Sequence, residues 1–252
     1  MKKIGIIGGL AWPSTIDYYR YLCSRCNDRH RKQGGSEPSP TPPMVIESVN
    51  IAETRQLRGI QGDDDSWRSF DAVFNEAFQR LRLAGADFGL IASNTPHSRF
   101  NSITRNLDFH VLSILDTTAD TIIQLGMGRA MILGTPVTIR SPMYHDALSA
   151  HGINVADPID DTAIDELAEL IDGSLYHGEV DVARQWILDA ARSANASQES
   201  LAVCLACTEL PLAFPEHRDD ASFIVDGITF INTTIAHADA AFELALDETK
   251  AH

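Results

Sequence analysis

Lysine is scarce in this chain of 252 residues: the four lysines stand at positions 2, 3, 32 and 250, so the long middle stretch takes its positive charge from arginine alone. Acidic side chains outnumber basic ones by 35 to 20, a net charge of −15. An excess of that sign argues against nucleic acid and against anionic membrane surfaces, both of which need a basic face. No apolar run approaches the roughly 18 residues of a membrane span. The opening Met1-Lys2-Lys3 followed by residues 4–10 is too short and too glycine-rich for a secretory signal. The expected location is the cytoplasm, where thiols stay reduced. Cysteine is also sparse. Cys23, Cys26, Cys204 and Cys207 form two C-x-x-C pairs, but 178 positions separate them, whereas zinc ribbons keep their pairs about 15–20 apart. No metal is therefore expected. The glycine fingerprint of a dinucleotide site is missing as well, and no phosphate-loop lysine follows Gly8-Gly9.

The apolar content of 44% is ample for a sizeable core. Short β-branched runs alternate with amphipathic stretches, the pattern of an α/β protein with mainly parallel sheets. Strands are expected at 3–7, 44–49, 88–92, 130–133, 153–155, 201–205 and 223–225. Trp67, Phe70, Phe74, Ala77, Phe78 and Leu81 share one face of a helix that stops at Gly85. Another helix is expected to start at Ser14 with Asp17 in a capping-box position, and a last one spans about 229–246. The segment 33–43 holds two glycines and four prolines and reads as a surface loop. Residues 151–183 carry nine acidic groups and no lysine or arginine, the signature of a solvated acidic surface.

A faint internal repeat carries more information. Ile4-Gly5-Ile6-Ile7-Gly8-Gly9 is answered by Ala130-Met131-Ile132-Leu133-Gly134-Thr135, and each opening is followed by a strand that ends in a small polar cluster. The first cluster is Ser93-Asn94-Thr95; the second is Cys207-Thr208-Glu209. Two related halves would place these clusters at the carboxyl ends of strands, where open α/β sheets bind ligands. The Gly8-Gly9 turn has two readings of equal weight: a tight turn that needs glycine, or backbone N–H groups offered to a carboxylate. Polar donors at the end of a strand would pull the Cys207 thiol down toward neutrality and make it a base or nucleophile. Cys204, within the apolar run, reads as a small core residue. Asn94 and Thr95 are suited to capping the next helix. His97 either orients a substrate or lies on a helix flank, the flank being favoured.

Gly8-Gly9-Leu10-Ala11-Trp12-Pro13-Ser14-Thr15-Ile16-Asp17-Tyr18-Tyr19-Arg20, Ser93-Asn94-Thr95-Pro96-His97 and Cys207-Thr208-Glu209-Leu210, in that order, resemble the aspartate/glutamate racemase family, in the branch with a G-G-x-x-W-x-S-T-x-x-Y-Y-R opening. The resemblance implies two pseudo-symmetric three-layer (αβα) domains, residues 1–115 with 225–252 and residues 116–224. It implies an active site in the cleft between them, no cofactor and no pyridoxal phosphate, a small amino-acid substrate, and a homodimer. The α-hydrogen of an amino acid is very weakly acidic, so racemisation without a cofactor takes one acid–base group on each face of the α-carbon. The family uses two cysteines. The second maps onto Cys207, and the first onto Ser93, whose hydroxyl is a far weaker acid than a thiol. Trp12, Ser14, Thr15, Asn94, Thr95, His97, Thr135, Thr138, Thr208 and Glu209 map onto the substrate-binding shell. Ser93 would relay a proton through water or His97, or the scaffold would run a one-cysteine reaction, as related arylmalonate decarboxylases do. Isomerisation of a small dicarboxylic acid and a catalytically silent amino-acid-binding protein are the remaining alternatives. Family members acting on acidic amino acids carry a basic residue ahead of the segment matching Leu175-Tyr176-His177-Gly178. Here that stretch is acidic, with Glu166 near the expected position, which disfavours a side-chain carboxylate.

Overall fold

The computed structural model describes residues 1–60, 62–156, 159–175, 177, 179–195 and 200–247. Tyr176 and Gly178 of the Leu175–Gly178 segment lie outside the described residues. The chain divides into two compact units, Met1–Ser113 with Ala238–His252, and Ile114–His237.

The first unit is built on a sheet of order β2-β1-β3-β4, from β1 (Ile4–Gly8), β2 (Met44–Ser48), β3 (Phe88–Ile91) and β4 (Val111–Leu112), all parallel. Parallel strands are buried on both faces and so lose the polar alternation of exposed ones; all five β1 residues are buried. One face receives the helix Arg68–Leu83, whose Phe70, Phe74, Ala77, Phe78 and Leu81 recur at helical spacing and pack with Ile7, Val45, Ile91 and Val111. Phe74 and Phe78 are fully buried, each contributing about 1.5–3 kcal/mol. The helix stops where expected: Gly85 takes φ 82° and the Ala86 N–H returns to the Leu81 carbonyl. The helix Trp12–Lys32 buries Tyr18, Tyr21 and Leu22. The end of the last helix, Thr233–Leu246, is tied to it by Arg25, which pairs with Asp239 at 2.7 Å and Glu243 at 2.9 Å.

The second unit has the sheet order β6-β5-β7-β9-β8, from β5 (Arg129–Gly134), β6 (Asn154–Val155), β7 (Leu201–Ala206), β8 (Ser222–Val225) and β9 (Ile228–Asn232); the edge pair β8–β9 is antiparallel. Met131, Leu133, Val203, Leu205 and Phe230 face the helix Val180–Ala194. Ala130, Ala202, Cys204 and Ile231 face the helices Ile114–Gln124 and Met143–Ala150. Helices thus cover both faces of the sheet.

Three expectations change. Residues 228–232 form β9 rather than the start of the last helix, because Thr229, Phe230 and Ile231 pair in parallel with Ala202, Val203 and Cys204 of β7. The return to the first unit accordingly falls at 237/238, not at 225. The first helix begins at Trp12, with Pro13 in its opening turn and no side-chain cap. Ser14 is instead buried and donates to the Ala92 carbonyl at 2.9 Å. β4 was not anticipated, since two residues are too few for a pattern.

The repeat is carried by topology. β2-β1-β3-β4 corresponds to β6-β5-β7-β9, and the glycine ending the second strand in each order packs on a threonine, Gly8 on Thr15 and Gly134 on Thr138. At Gly9, φ is 83° and a Cβ would strike the Val49 carbonyl oxygen. Its N–H is also spent on Thr15 Oγ1 at 3.0 Å, so the turn is structural and that N–H is not offered to a carboxylate. Gly9→Ala is expected to destabilise the protein by about 2–4 kcal/mol, from the positive φ and the backbone collision together; urea unfolding measures it.

Candidate active site

The pairing register places the two polar clusters at equivalent points of the two sheets. In the first unit Ile7 pairs with Ile91, and the Ala92 N–H continues the ladder to the Ile7 carbonyl. In the second, Gly134 pairs with Ala206. Ser93 and Cys207 each follow at once, each beyond the carboxyl end of its central strand.

In the first unit Ser93 is half-buried and Asn94 is buried. The segment Thr95–Arg99 is a 3₁₀ turn entered through Pro96, and neither Asn94 nor Thr95 caps it through its side chain. His97 is not on a helix flank: it is 2% exposed, stacks on Phe100, and places Nδ1 2.9 Å from the Ser93 carbonyl oxygen. Burial pushes its pKa down to about 4. The ring is thus neutral at pH 7, and the nitrogen facing the carbonyl carries the proton. The contact holds the backbone of Ser93, not its hydroxyl, so this bond does not supply the proposed hydroxyl relay. Trp12, at the head of the first helix, is 66% exposed. Thr15 is occupied at the Gly9 turn and Ser14 at Ala92.

In the second unit Thr135 caps the short helix Pro136–Arg140 by accepting from the Thr138 N–H at 3.3 Å, and the two hydroxyls lie 3.1 Å apart. Cys207 is 7% exposed. Its thiol donates to Glu209 Oε2 at 2.9 Å, and the Thr208 hydroxyl donates to the same oxygen at 2.8 Å. The thiol pKa is therefore not depressed. Burial, followed by the Glu209 carboxylate and more weakly by Asp172, raises it well above its ordinary value. The donors anticipated at this strand end exist, but an acceptor two residues along outweighs them. Burial likewise pushes Cys204 up to about 12, in keeping with a core residue. Asp172, on the π-helical segment Leu170–Leu175, was missed. Only the bare acidity of 151–183 hinted at it. Glu166 accepts from the Trp186 indole at 3.0 Å, and Arg140 is held by Asp161 at 2.9 Å and Asp165 at 3.6 Å.

Trp12, Ser14, Thr15, Ser93, Asn94, Thr95 and His97 thus belong to one unit, and Thr135, Thr138, Cys207, Thr208 and Glu209 to the other. The cysteine pairs are divided in the same way, with all four thiols free. Among the described residues no group of three or more metal-ligating side chains comes together, and no helix is long and apolar enough to cross a membrane.

Two mainly parallel α/β sheets of matching order, each ending its second central strand in a small polar cluster, define a duplicated α/β fold with those clusters at the strand ends. The Asp/Glu/Hydantoin racemase family model matches residues 7–241, and the chain belongs to this family. It is similar to the broad specificity amino-acid racemase RacX of Bacillus subtilis, with 27% identity over 152 residues. That match takes in 60% of this chain and 63% of the relative, short of two thirds of its length. Among solved structures it is similar to an aspartate racemase homologue from Pyrococcus horikoshii, with 28% identity, 98% and 100% of the two chains covered and a TM-score of 0.78. It shares the fold of Picrophilus torridus aspartate racemase, with 23% identity, 97% and 94% covered and a TM-score of 0.68.

Two measurements test the electrostatics. Glu209→Gln removes the charge that raises the Cys207 thiol, so alkylation of Cys207 is expected to reach half-maximal rate at lower pH than in the parent. An unchanged or higher midpoint contradicts the assignment. For His97, the unfolded chain takes up a proton near pH 6.5 that the folded state refuses until about pH 4. Folding stability is therefore expected to fall by about 3 kcal/mol as pH drops through that window. In His97→Asn this pH-dependent component should be absent from the denaturation series.

Proposed function

We propose that this chain is a cofactor-independent amino-acid racemase or epimerase, with Cys207 as the acid–base group on one face of the α-carbon and Ser93 on the other. The observation that carries the reading is the hydrogen bond from the Cys207 thiol to Glu209, in a chain of the racemase family. A buried thiol with a raised pKa is a weaker acid than a free one, and its thiolate is correspondingly the stronger base. Glu209 is placed to take its proton, and the ammonium group of an arriving amino acid offsets the negative charge that then forms. The thiolate removes the α-proton and the substrate passes through a carbanion whose charge spreads onto its carboxylate. A proton delivered to the opposite face, from the Ser93 hydroxyl or a water it positions, completes inversion; solvent then reprotonates the alkoxide or hydroxide left there and takes the proton held by Glu209. Asn94, Thr95, Thr135, Thr138 and Thr208 supply the neutral polar shell.

Serine in place of a second thiol makes the two faces unequal. Proton removal from the Cys207 face is supported by Glu209, whereas removal from the Ser93 face requires a far weaker acid to ionise. The same feature favours a second reading, in which Cys207 alone protonates a carbanion formed by loss of carbon dioxide. Substrate choice is open to more than acidic amino acids, in line with the broad specificity of the Bacillus subtilis relative, because Asp172 and Glu209 repel a side-chain carboxylate near the thiol.

Incubation with single L- and D-amino acids in deuterated water provides the test. Deuterium is expected at the α-carbon of at least one of them, and Cys207→Ala is expected to lower exchange by about 10²–10⁴-fold, the usual worth of an acid–base group. Ser93→Ala should slow the two directions unequally. Exchange at parental rates in Cys207→Ala contradicts the roles, and carbon dioxide release without exchange selects the decarboxylase.

A further inference from the structure

Two carboxylates act on the Cys207 thiol, and they differ in what holds them. Glu209 is engaged: its Oε2 accepts from the thiol at 2.9 Å and from the Thr208 hydroxyl at 2.8 Å. Asp172 is exposed and, among the described residues, makes no hydrogen bond or ion pair. Arginines of the same unit are committed to other carboxylates, Arg140 to Asp161 and Asp165, Arg184 to Glu216, and Arg192 to Asp189 and Asp226.

The fold fixes where this free charge stands. Asp172 lies on the π-helical segment Leu170–Leu175, a rare geometry that recurs at functional sites. Ile171 and Leu175, on either side of it, are buried in the same core layer as Cys207 and Leu210. The segment also packs against the turn Leu210–Ala213 that follows the cysteine. Apolar anchors thus hold the backbone while Asp172 remains in solvent. At the adjacent Gly173 a Cβ would meet no atom within 4 Å, so space is open beside the turn. The two carboxylates also stand at different distances from the sulfur. Glu209 is in hydrogen-bond contact with it, whereas Asp172 acts on it through charge alone.

We infer that Asp172 receives the side-chain cation of a basic amino acid, an ammonium or a guanidinium, and so sets the substrate class of this site. Proton transfer puts the substrate α-carbon against the sulfur, and the α-ammonium, one bond away, falls to Glu209. A carboxylate farther from the sulfur meets what extends beyond the α-carbon. Lysine carries its ammonium on a flexible four-carbon stem, and a charge-assisted bond to Asp172 forms only with a cationic side chain. A glutamate side chain would bring like charges together, and a neutral one would leave Asp172 to water. The inference rests on the racemase reading for the place of the α-carbon, so binding is measured apart from turnover.

α-Deuterium exchange and calorimetric binding are measured with L-lysine, L-methionine and L-glutamate on the parent, Asp172→Asn and Asp172→Glu. Methionine has an unbranched side chain close to lysine in length, without its charge. The parent is expected to bind lysine more tightly than methionine, and glutamate least. Asp172→Asn also removes a charge that acts on the thiol, but that change reaches every substrate alike, so the lysine-to-methionine ratio isolates the side-chain contact. In Asp172→Asn the ratio of KM values, and of Kd values, is expected to rise about tenfold, the worth of a hydrogen bond between charged groups. The kcat ratio should stay the same, and Asp172→Glu should bring the KM ratio back toward the parent's. A KM ratio unchanged in Asp172→Asn overturns the inference, including the case in which both values rise together because Asp172 takes the α-ammonium. Methionine exchange in a parent that does not prefer lysine overturns it too, and leaves the racemase reading standing. Lysine binding that depends on Asp172, in a protein that exchanges no amino acid, supports the contact and counts against the racemase reading instead. Neither binding nor exchange of any of the three overturns both.

Discussion

Parallel pairing of a glycine-ended strand with a strand that stops in a polar cluster, made once in each unit, governs where Ser93 and Cys207 are held. Gly8 and Gly134 leave no room for a side chain because Thr15 and Thr138 close in on them. That close approach lets the following turn stay tight. The neighbouring strand then ends one residue later, on Ser93 in one case and Cys207 in the other. Hydroxyls that look from the sequence like ligand donors, those of Ser14, Thr15 and Thr135, are largely consumed in holding this geometry. These bonds help to place the strand ends.

Electrostatics at Cys207 run opposite to the common picture of an activated cysteine. The environment favours the thiol, through burial first and the Glu209 carboxylate second. For a reaction in which one group must give a proton as readily as it takes one, this is no handicap. A thiolate stabilised in the resting state would be a weak base toward a carbon acid. A thiol hydrogen-bonded to a carboxylate keeps the basicity of its conjugate base and has a route for its proton. In the proposed reaction the positive charge that tips the balance comes with the substrate.

The fold was legible because its signals are local and repeated. Phe70, Phe74, Phe78 and Leu81 announce a buried helix face, and Gly85 its end, without reference to anything distant. β9 was misread for the opposite reason. Ile228–Asn232 runs straight into an alanine-rich helix, and only its pairing with β7, a contact of long sequence separation, separates the two. The positions of Ser93 and Cys207 at strand ends were legible; the state of the thiol was not. It depends on the rotamer that brings Glu209 back to Cys207 and on the approach of Asp172 from a segment 35 residues upstream. His97 shows the same limit: its spacing is compatible with a flank, and only the packing against Phe100 buries it.

The net charge of −15 bears on the substrate through the way the arginines of the second unit are used. Arg140 is held by Asp161 and Asp165, Arg184 by Glu216, and Arg192 by Asp189 and Asp226. The unit contains no lysine. In the proposed reaction a substrate carboxylate reaching Cys207 is received by threonine hydroxyls and backbone donors, and Glu209 and Asp172 are the charges that act on the thiol. Neutral donors suffice for an α-carboxylate, which is common to every amino acid and is accompanied by an ammonium group. A second carboxylate, on the side chain, brings no compensating charge of its own. Within this half of the proposed site, an acidic amino acid pays a repulsion that neutral and basic ones escape, so the selectivity expected here arises from exclusion rather than from a dedicated cation.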